Sequence, residues 1–184
     1  MAPNYQALTV RANPGGRLSS LKTPCTVCLA FNPLQGGISP QQFQFDAIWD
    51  TGATNSVITQ RVVSTCQLPP IGMTKVHAVN STKDSEVYLV NIGLPNGVNF
   101  MNIKVTQGEL IGADVLIGMD IITLGDVAIT NVGGDTVFSF RIPSQKHVDF
   151  VHDHAEESRR EQFSHGGSKK NRKKRHKMFG KNKR

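Results

Sequence analysis

The sequence predicts an all-β domain, on two observations. Short runs of alternating or β-branched residues recur from residue 5 to residue 142. Clusters of Gly, Pro and Asn break these runs at roughly 8 to 12 residue intervals, the rhythm of a closed or sandwich-like β structure.

In chain order, residues 5 to 10 (YQALTV) form a short strand before the loop RANPGG, and residues 25 to 31 form a second β-rich run. NPLQGGISP is turn chemistry. The next segment alternates, with Phe43, Phe45, Ala47 and Trp49 on one face and Gln42, Gln44, Asp46 and Ile48 on the other. It reads as a strand that delivers Asp50 at its end. TNSVITQRVVSTCQLPPIG starts β-like, turns through a short helix around Gln60 to Thr65 and stops at Pro69-Pro70. Residues 73 to 79 and 85 to 92 are two strands joined by the polar tip NSTKDS. LPNG is a hairpin turn into a strand from Val98 to Thr106. In ADVLIGMDIITLGDVAIT an apolar strand reaches Gly118, a short helix follows with Asp120 as its N-cap, and a further strand comes after. NVGGD then turns into TVFSFRI, the final strand.

The chain has 184 residues, 38% of them hydrophobic, which fits one soluble globular domain with a real core. No run approaches the roughly 20 apolar residues of a membrane span. The N-terminus lacks the basic start and apolar block of a secretory signal, so the expected location is cytoplasmic, and an opening Met1 favours a free-standing product. The net charge of +7 is unevenly spread: residues 166 to 184 hold ten Lys or Arg and no acid, leaving the rest of the chain at −3.

Cys25 and Cys28 make a C-x-x-C, and Cys66 is the third cysteine. Zinc or redox chemistry at such a pair needs both thiols on one side, whereas residues three apart on a strand face opposite sides. No second C-x-x-C or nearby His pair completes a zinc site, so ordinary strand cysteines are the preferred reading.

Asp50 stands between Trp49 and the small residues Thr51-Gly52-Ala53, at the end of an apolar strand. A charge there is costly unless paired or put to use. An apolar strand ending in Asp-Thr-Gly-Ala resembles the active-site signature of the retropepsin-like aspartic proteases, the retroviral type that has cellular and bacterial members. Leu116-Ile117-Gly118 followed by a short helix resembles that family's later apolar-apolar-Gly motif, and the hairpin between the two stands where its flap stands. The likeness covers residues 21 to 142. It implies a closed, single-lobed acid-protease β domain with a short helix after Gly118.

It also implies an activity. Peptide hydrolysis in this family uses two carboxylates facing one water and sharing one proton. Like charges about 3 Å apart cannot both ionise readily, so the two groups titrate as a unit. One ionised carboxylate activates the water while the protonated one polarises the scissile carbonyl. The chain holds a single D-T-G, so the second Asp50 must come from another copy in a C2 homodimer. The implied catalytic residues are Asp50, Thr51 and Gly52, with Thr51 bonding across the dimer axis. The implied substrate-binding residues are Ala53, the flap-tip residues Asn80, Ser81, Thr82 and Lys83, and Asp114 and Leu116 near the side-chain pockets. The substrate is an extended peptide with mostly apolar residues beside the cut bond, and no metal or organic cofactor is implied.

Two features depart from the viral pattern. Viral members carry an acid after D-T-G-A that pairs with an Arg beyond the apolar-apolar-Gly, and here those places hold Thr54 and Met119. The flap tip also lacks the viral Gly-rich character. Asp114 and Asp120 are read as loop surface and cap in preference to further catalytic carboxylates. His147, His152 and His154 lie among acids without a recognised metal-binding frame, which favours a solvated face. Asn80-Ser81-Thr82 matches a glycosylation sequon, without consequence in a cytoplasmic chain.

The domain reading is thus an N-terminal segment over 1–20, a protease domain over 21–142, a polar linker with helical potential over 143–165 and a basic disordered tail over 166–184. The tail has three readings: a nonspecific polyanion or nucleic-acid contact, a localisation signal, or a solubilising end. Two alternatives to an endopeptidase stay open: a non-catalytic dimerisation or peptide-binding module of the same fold, and a nucleic-acid-associated protein acting through its tail.

Overall fold

The computed structural model describes residues 4–12, 15–36, 38–78 and 81–163. They divide into two units, Met1–Gln145 and Lys146–Arg184. The first holds ten strands: β1 (Gln6–Arg11), β2 (Lys22–Leu29), β3 (Phe43–Trp49), β4 (Val57–Ile58), β5 (Gly72–Ala78), β6 (Ser81–Gly93), β7 (Asn99–Gln107), β8 (Val115–Ile117), β9 (Asp126–Thr130) and β10 (Val137–Ile142). Two short helices, α1 (Gln60–Thr65) and α2 (Met119–Ile122), interrupt them. This is the expected all-β architecture, with the short helix directly after Gly118.

Seven strands run in the order β2-β3-β8-β4-β7-β6-β5, and a further pairing of β2 with β6 closes six of them into a barrel. The long β6 serves twice. Its residues 90 to 93 pair with β2 in the barrel wall, while residues 81 to 87 pair with β5 in a projecting hairpin arm. The Leu94–Gly97 turn links β6 to β7 through a Gly97 N–H to Leu94 carbonyl bond of 3.0 Å, with Gly97 in the left-handed region that its sequence allows (φ 83°). A second sheet, β1-β10-β9, is antiparallel throughout. The N-terminal strand is therefore paired with the last one.

Alternation along β3 works as the sequence indicates. Phe45, Ala47 and Trp49 are buried while Gln44 and Asp46 are exposed. Their faces meet Val27, Ile58, Val90, Val105 and Val115 in one core, and Trp49 packs between the sheets with its ring 5.1 Å from Phe138 and 4.9 Å from Phe140. Its indole N–H, costly to bury alone, donates to the Thr23 hydroxyl at 3.0 Å. Cys25, Cys28 and Cys66 are buried free thiols, and burial first, then the nearby Asp46 and Asp114 carboxylates, pushes Cys25 up to about 12.

Two local expectations are corrected. Asp120 is not the α2 N-cap: Gly118 holds that position and Asp120 lies in the first turn. The run NSTKDS is not a loop throughout, because β6 begins at Ser81 and pairs from there with β5. Polarity marked residues 82 to 85 as a tip, yet residues 82 to 84 are exposed within a strand of the projecting arm, where polar residues suit equally well, and the buried Ser85 hydroxyl donates to the Gln107 carbonyl.

In the second unit, residues 150 to 163 form α3. Asp149 starts it, accepting from the Val151 and His152 N–H groups at 3.0 Å each. Glu156 on its surface accepts from Arg160 at 3.1 Å and lies 3.9 Å from His152. Among the described residues no group of three or more His, Cys, Asp or Glu side chains is placed to hold a metal ion, and no helix is long and apolar enough to cross a membrane. The basic run 166–184 lies outside the described residues.

Candidate active site

Asp50 follows the last residue of β3, and its position is set by the parallel pairing of β3 with β8. Ala47, Ile48 and Trp49 lie against Val115, Leu116 and Ile117, and the Asp50 N–H continues the ladder to the Ile117 carbonyl at 3.0 Å. Two motifs some 65 residues apart in sequence are thus brought side by side. Beyond the strand the chain reverses at once. The Ala53 N–H reaches the Asp50 carbonyl at 3.4 Å, and the Gly52 N–H donates to Asp50 Oδ1 at 2.8 Å. That second bond is an Asx-type turn, which fixes the carboxylate on its own loop. A Cβ at Gly52 would stand 3.2 Å from the same oxygen, so glycine keeps the approach open.

The loop is held from behind by the start of α2. Met119 N–H donates to the Ala53 carbonyl at 2.8 Å, and Asp120 N–H to the Thr54 carbonyl at 3.1 Å. Gly118 makes this approach possible, because a Cβ there would lie 2.7 Å from the backbone C and O of Asn55. Ser56, fully buried, then ties the two segments. Its N–H and hydroxyl donate to the two oxygens of Asp120 at 3.0 and 2.8 Å, and its hydroxyl accepts from the Gly118 N–H at 3.1 Å. Where the viral ion pair is missing, at Thr54 and Met119, the two segments are therefore joined by backbone, Met119 to Ala53 and Asp120 to Thr54, and the side-chain tie lies one to two residues further on. Sequence reasoning missed Ser56; a small polar residue just before the run VITQRVV was the available signal.

Two hollows open beside Asp50. One, of about 140 Å³, is walled by Leu21, Trp49, Thr51, Val127, Ile129 and Phe138. The other, of about 370 Å³, is walled by Ser20, Ile48, Leu110, Ile111 and Leu116. A wider groove of about 900 Å³ runs between the β5–β6 arm, at Met73, Val76 and Lys83 to Glu86, and the start of α1 with the Gly108–Ile111 loop. Leu110 and Ile111 wall both the groove and the larger hollow, and Ile111 is fully exposed.

Of the residues singled out in the sequence, Asp50, Thr51, Gly52 and Ala53 form one turn, and Leu116 lines the hollow next to Asp50. Lys83 lies on the groove, on the arm rather than near Asp50's hollows. Asp114 lines neither hollow: its carboxylate accepts from Arg61 at 2.7 Å, and that guanidinium lies over the Phe45 ring. Thr82 is an exposed strand residue of the arm, whereas Asn80 and the Ser81 side chain lie outside the described residues. Leu110 and Ile111 were not foreseen, since a two-residue apolar stretch in a loop carries no periodic signal.

Residues 35–123 match the model of a family described as gag-polyprotein putative aspartyl protease. The match spans just under half of the chain and contains both the Asp50–Ala53 turn and Leu116–Gly118. The resemblance to retropepsin-like aspartic proteases read from those residues thus has a family match behind it. No curated protein matches the sequence. Among solved structures, a retropepsin-like aspartic protease from Rickettsia conorii is similar at 12% identity and a TM-score of 0.45, covering 76% of this chain and 96% of that one. The foamy viral protease-reverse transcriptase in complex with an RNA/DNA hybrid is similar at 20% identity and a TM-score of 0.39, covering 56% of this chain and 12% of that one. A retroviral protease-like domain from Leishmania major is similar at 17% identity and a TM-score of 0.38, covering 66% of this chain and 95% of that one.

Proposed function

With the aspartyl protease family matched over residues 35–123, we propose that this chain is an aspartic endopeptidase whose active site is completed by the Asp50 of a second copy. One observation carries the reading. The Asp50 carboxylate sits at the end of a half-buried strand, bounded by apolar walls, and among the described residues its one hydrogen bond is to its own loop at Gly52. A carboxylate so placed is half of a proton-sharing pair.

In the completed site the ionised Asp50 takes a proton from a water molecule, whose oxygen adds to the scissile carbonyl carbon. The protonated Asp50 of the other copy donates to the carbonyl oxygen. Collapse of the tetrahedral adduct breaks the C–N bond as the leaving nitrogen takes up a proton. Thr51 faces its counterpart across the axis, and the Gly52 backbone lies close to the substrate. The peptide runs extended in the groove under the β5–β6 arm and gains strand-like hydrogen bonds from it. Leu116, Leu110 and Ile111 favour apolar side chains next to the cut bond, while Asp114 bears on substrate only through Arg61. The chemistry asks for no cofactor, and a cytoplasmic location suits it.

The test is digestion of a diverse peptide mixture by wild type and Asp50→Asn between about pH 4 and 7, read by mass spectrometry. Cleavage by wild type that vanishes in Asp50→Asn is the expected result. Equal cleavage by both, or none from a dimeric wild type, overturns the reading, the latter in favour of a peptide-binding module.

A further inference from the structure

Ser85 ties the arm to the barrel. It is buried, and its hydroxyl donates to the Gln107 carbonyl at the end of β7. Because β6 and β7 are antiparallel, the arm followed back towards its tip and the chain leaving β7 run the same way from this tie. Two residues along the arm, on the same face as Ser85, stands Lys83. Two residues along the other path, in the Gly108–Ile111 loop, stands Glu109. Both line the 900 Å³ groove, Lys83 from the arm and Glu109 from the facing wall.

Little else competes for either charge. Register sets Val76 opposite Lys83, whereas Lys75 and Asp84 oppose each other on the arm's other face. Glu86, also on that other face, accepts from the Tyr88 hydroxyl. Of the groove's other residues only Arg61 carries a positive charge, and its guanidinium is held by Asp114 at 2.7 Å and lies over Phe45. Among the described residues neither Lys83 nor Glu109 has a hydrogen bond or an ion pair. The loop that carries Glu109 is a fixed post. Its Gly108 N–H donates to the Ile58 carbonyl at 2.9 Å, and Lys22 holds the Gly112 carbonyl at 2.6 Å. The arm is held less firmly, since its outer strand β5 has β6 as its one sheet neighbour among the described residues.

We infer that Lys83 and Glu109 are positioning residues: they pair across the groove when a peptide occupies it and latch the arm down over the bound chain. This rests on the endopeptidase reading, in which the peptide runs under the arm. Neither group touches the reacting atoms. Each acts by holding the strand that hydrogen-bonds the substrate. An exposed ion pair is weak and screened by salt, so this latch opens as readily as it closes. That suits an arm that must lift again for product to leave.

Charge reversal tests the pair, with a neutral peptide as substrate. Lys83→Glu and Glu109→Lys, each with wild-type circular dichroism, are expected to lose about three- to fivefold in kcat/KM, carried by KM. The double variant Lys83→Glu/Glu109→Lys restores the pair with its signs exchanged and is expected to return to within about twofold of wild type. The differences among the four chains should vanish at about 1 M salt. A double variant no better than either single one overturns the latch, while cleavage by wild type leaves the endopeptidase reading standing. Should wild type cleave nothing, a readout without turnover decides. Lys83→Cys/Glu109→Cys, held with excess peptide and oxidised by oxygen with a copper catalyst, is expected to form a disulfide within one chain, detected by mass spectrometry, because the three native thiols are buried. That disulfide in a chain without cleavage upholds the closing contact and overturns the endopeptidase reading. Its absence there overturns both.

Discussion

Gly118 is required for space rather than for backbone freedom, since its φ of −95° is open to any residue. In Gly118→Ala the new methyl meets Asn55 backbone at 2.7 Å, which cannot swing away as a side chain could. The loop carrying Asp50 must then shift, and we expect cleavage to drop by more than about tenfold, with a lowered melting temperature. Asp120→Ala leaves the buried Ser56 N–H and hydroxyl without their acceptors, a loss of about 1–3 kcal/mol read from urea unfolding; Asp120→Asn, which keeps one acceptor oxygen, should recover part of it. The role of Asp120 was hidden in the sequence because a first-turn acid looks like a cap, and only the fold shows Ser56 opposite it. The Asp50-Thr51-Gly52-Ala53 turn was legible because it is written in consecutive residues. Cys25 sets a pH dependence. Its folded pKa, pushed from 9.0 up to about 12 by burial and then by Asp46 and Asp114, exceeds the unfolded value, so the unfolded chain releases that proton first. Stability present below about pH 9 is therefore lost as pH rises towards 12, at up to about 1.4 kcal/mol per pH unit. Cys25→Ala should flatten this part of the decline in denaturant titrations at pH 8, 9 and 10.

Among elements, β3, α1 and β10 were readable because each buries one regular face, and the burial pattern repeats the sequence pattern. The β5–β6 arm was half readable. Its pairing partner supplies order that its polar composition does not announce, so the strands run further towards the tip than the residues indicate. The Gly108–Ile111 loop was illegible as a functional element, being too short for any period. Its apolar tip stands between the groove and the hollow beside Asp50, and Lys22 Nζ pins the following Gly112 carbonyl at 2.6 Å. A fully exposed isoleucine at that place contributes nothing to the core, so Ile111→Ser should leave the melting temperature within about 1 °C. The same change is expected to redistribute cleavage away from large apolar residues beside the cut bond, as counted across a peptide library.

For the whole molecule, barrel closure follows from one strand, β6, pairing with both β7 and β2, a property that local residue patterns do not specify. Charge acts at this scale as well. A chain ending at residue 165 carries −3 where the full chain carries +7, so its retention on a heparin column should collapse while cleavage of a neutral peptide continues unchanged. Loss of both together would tie the basic end to catalysis. Finally, the chain has one tryptophan, and it is the residue immediately before Asp50, hydrogen-bonded to Thr23 and lodged between Phe138 and Phe140. The indole also borders both hollows. Its fluorescence is thus an intrinsic optical gauge of this one place: shifts in indole emission on dilution or on adding a peptide report events beside the carboxylate, with no label attached and no second indole in the chain.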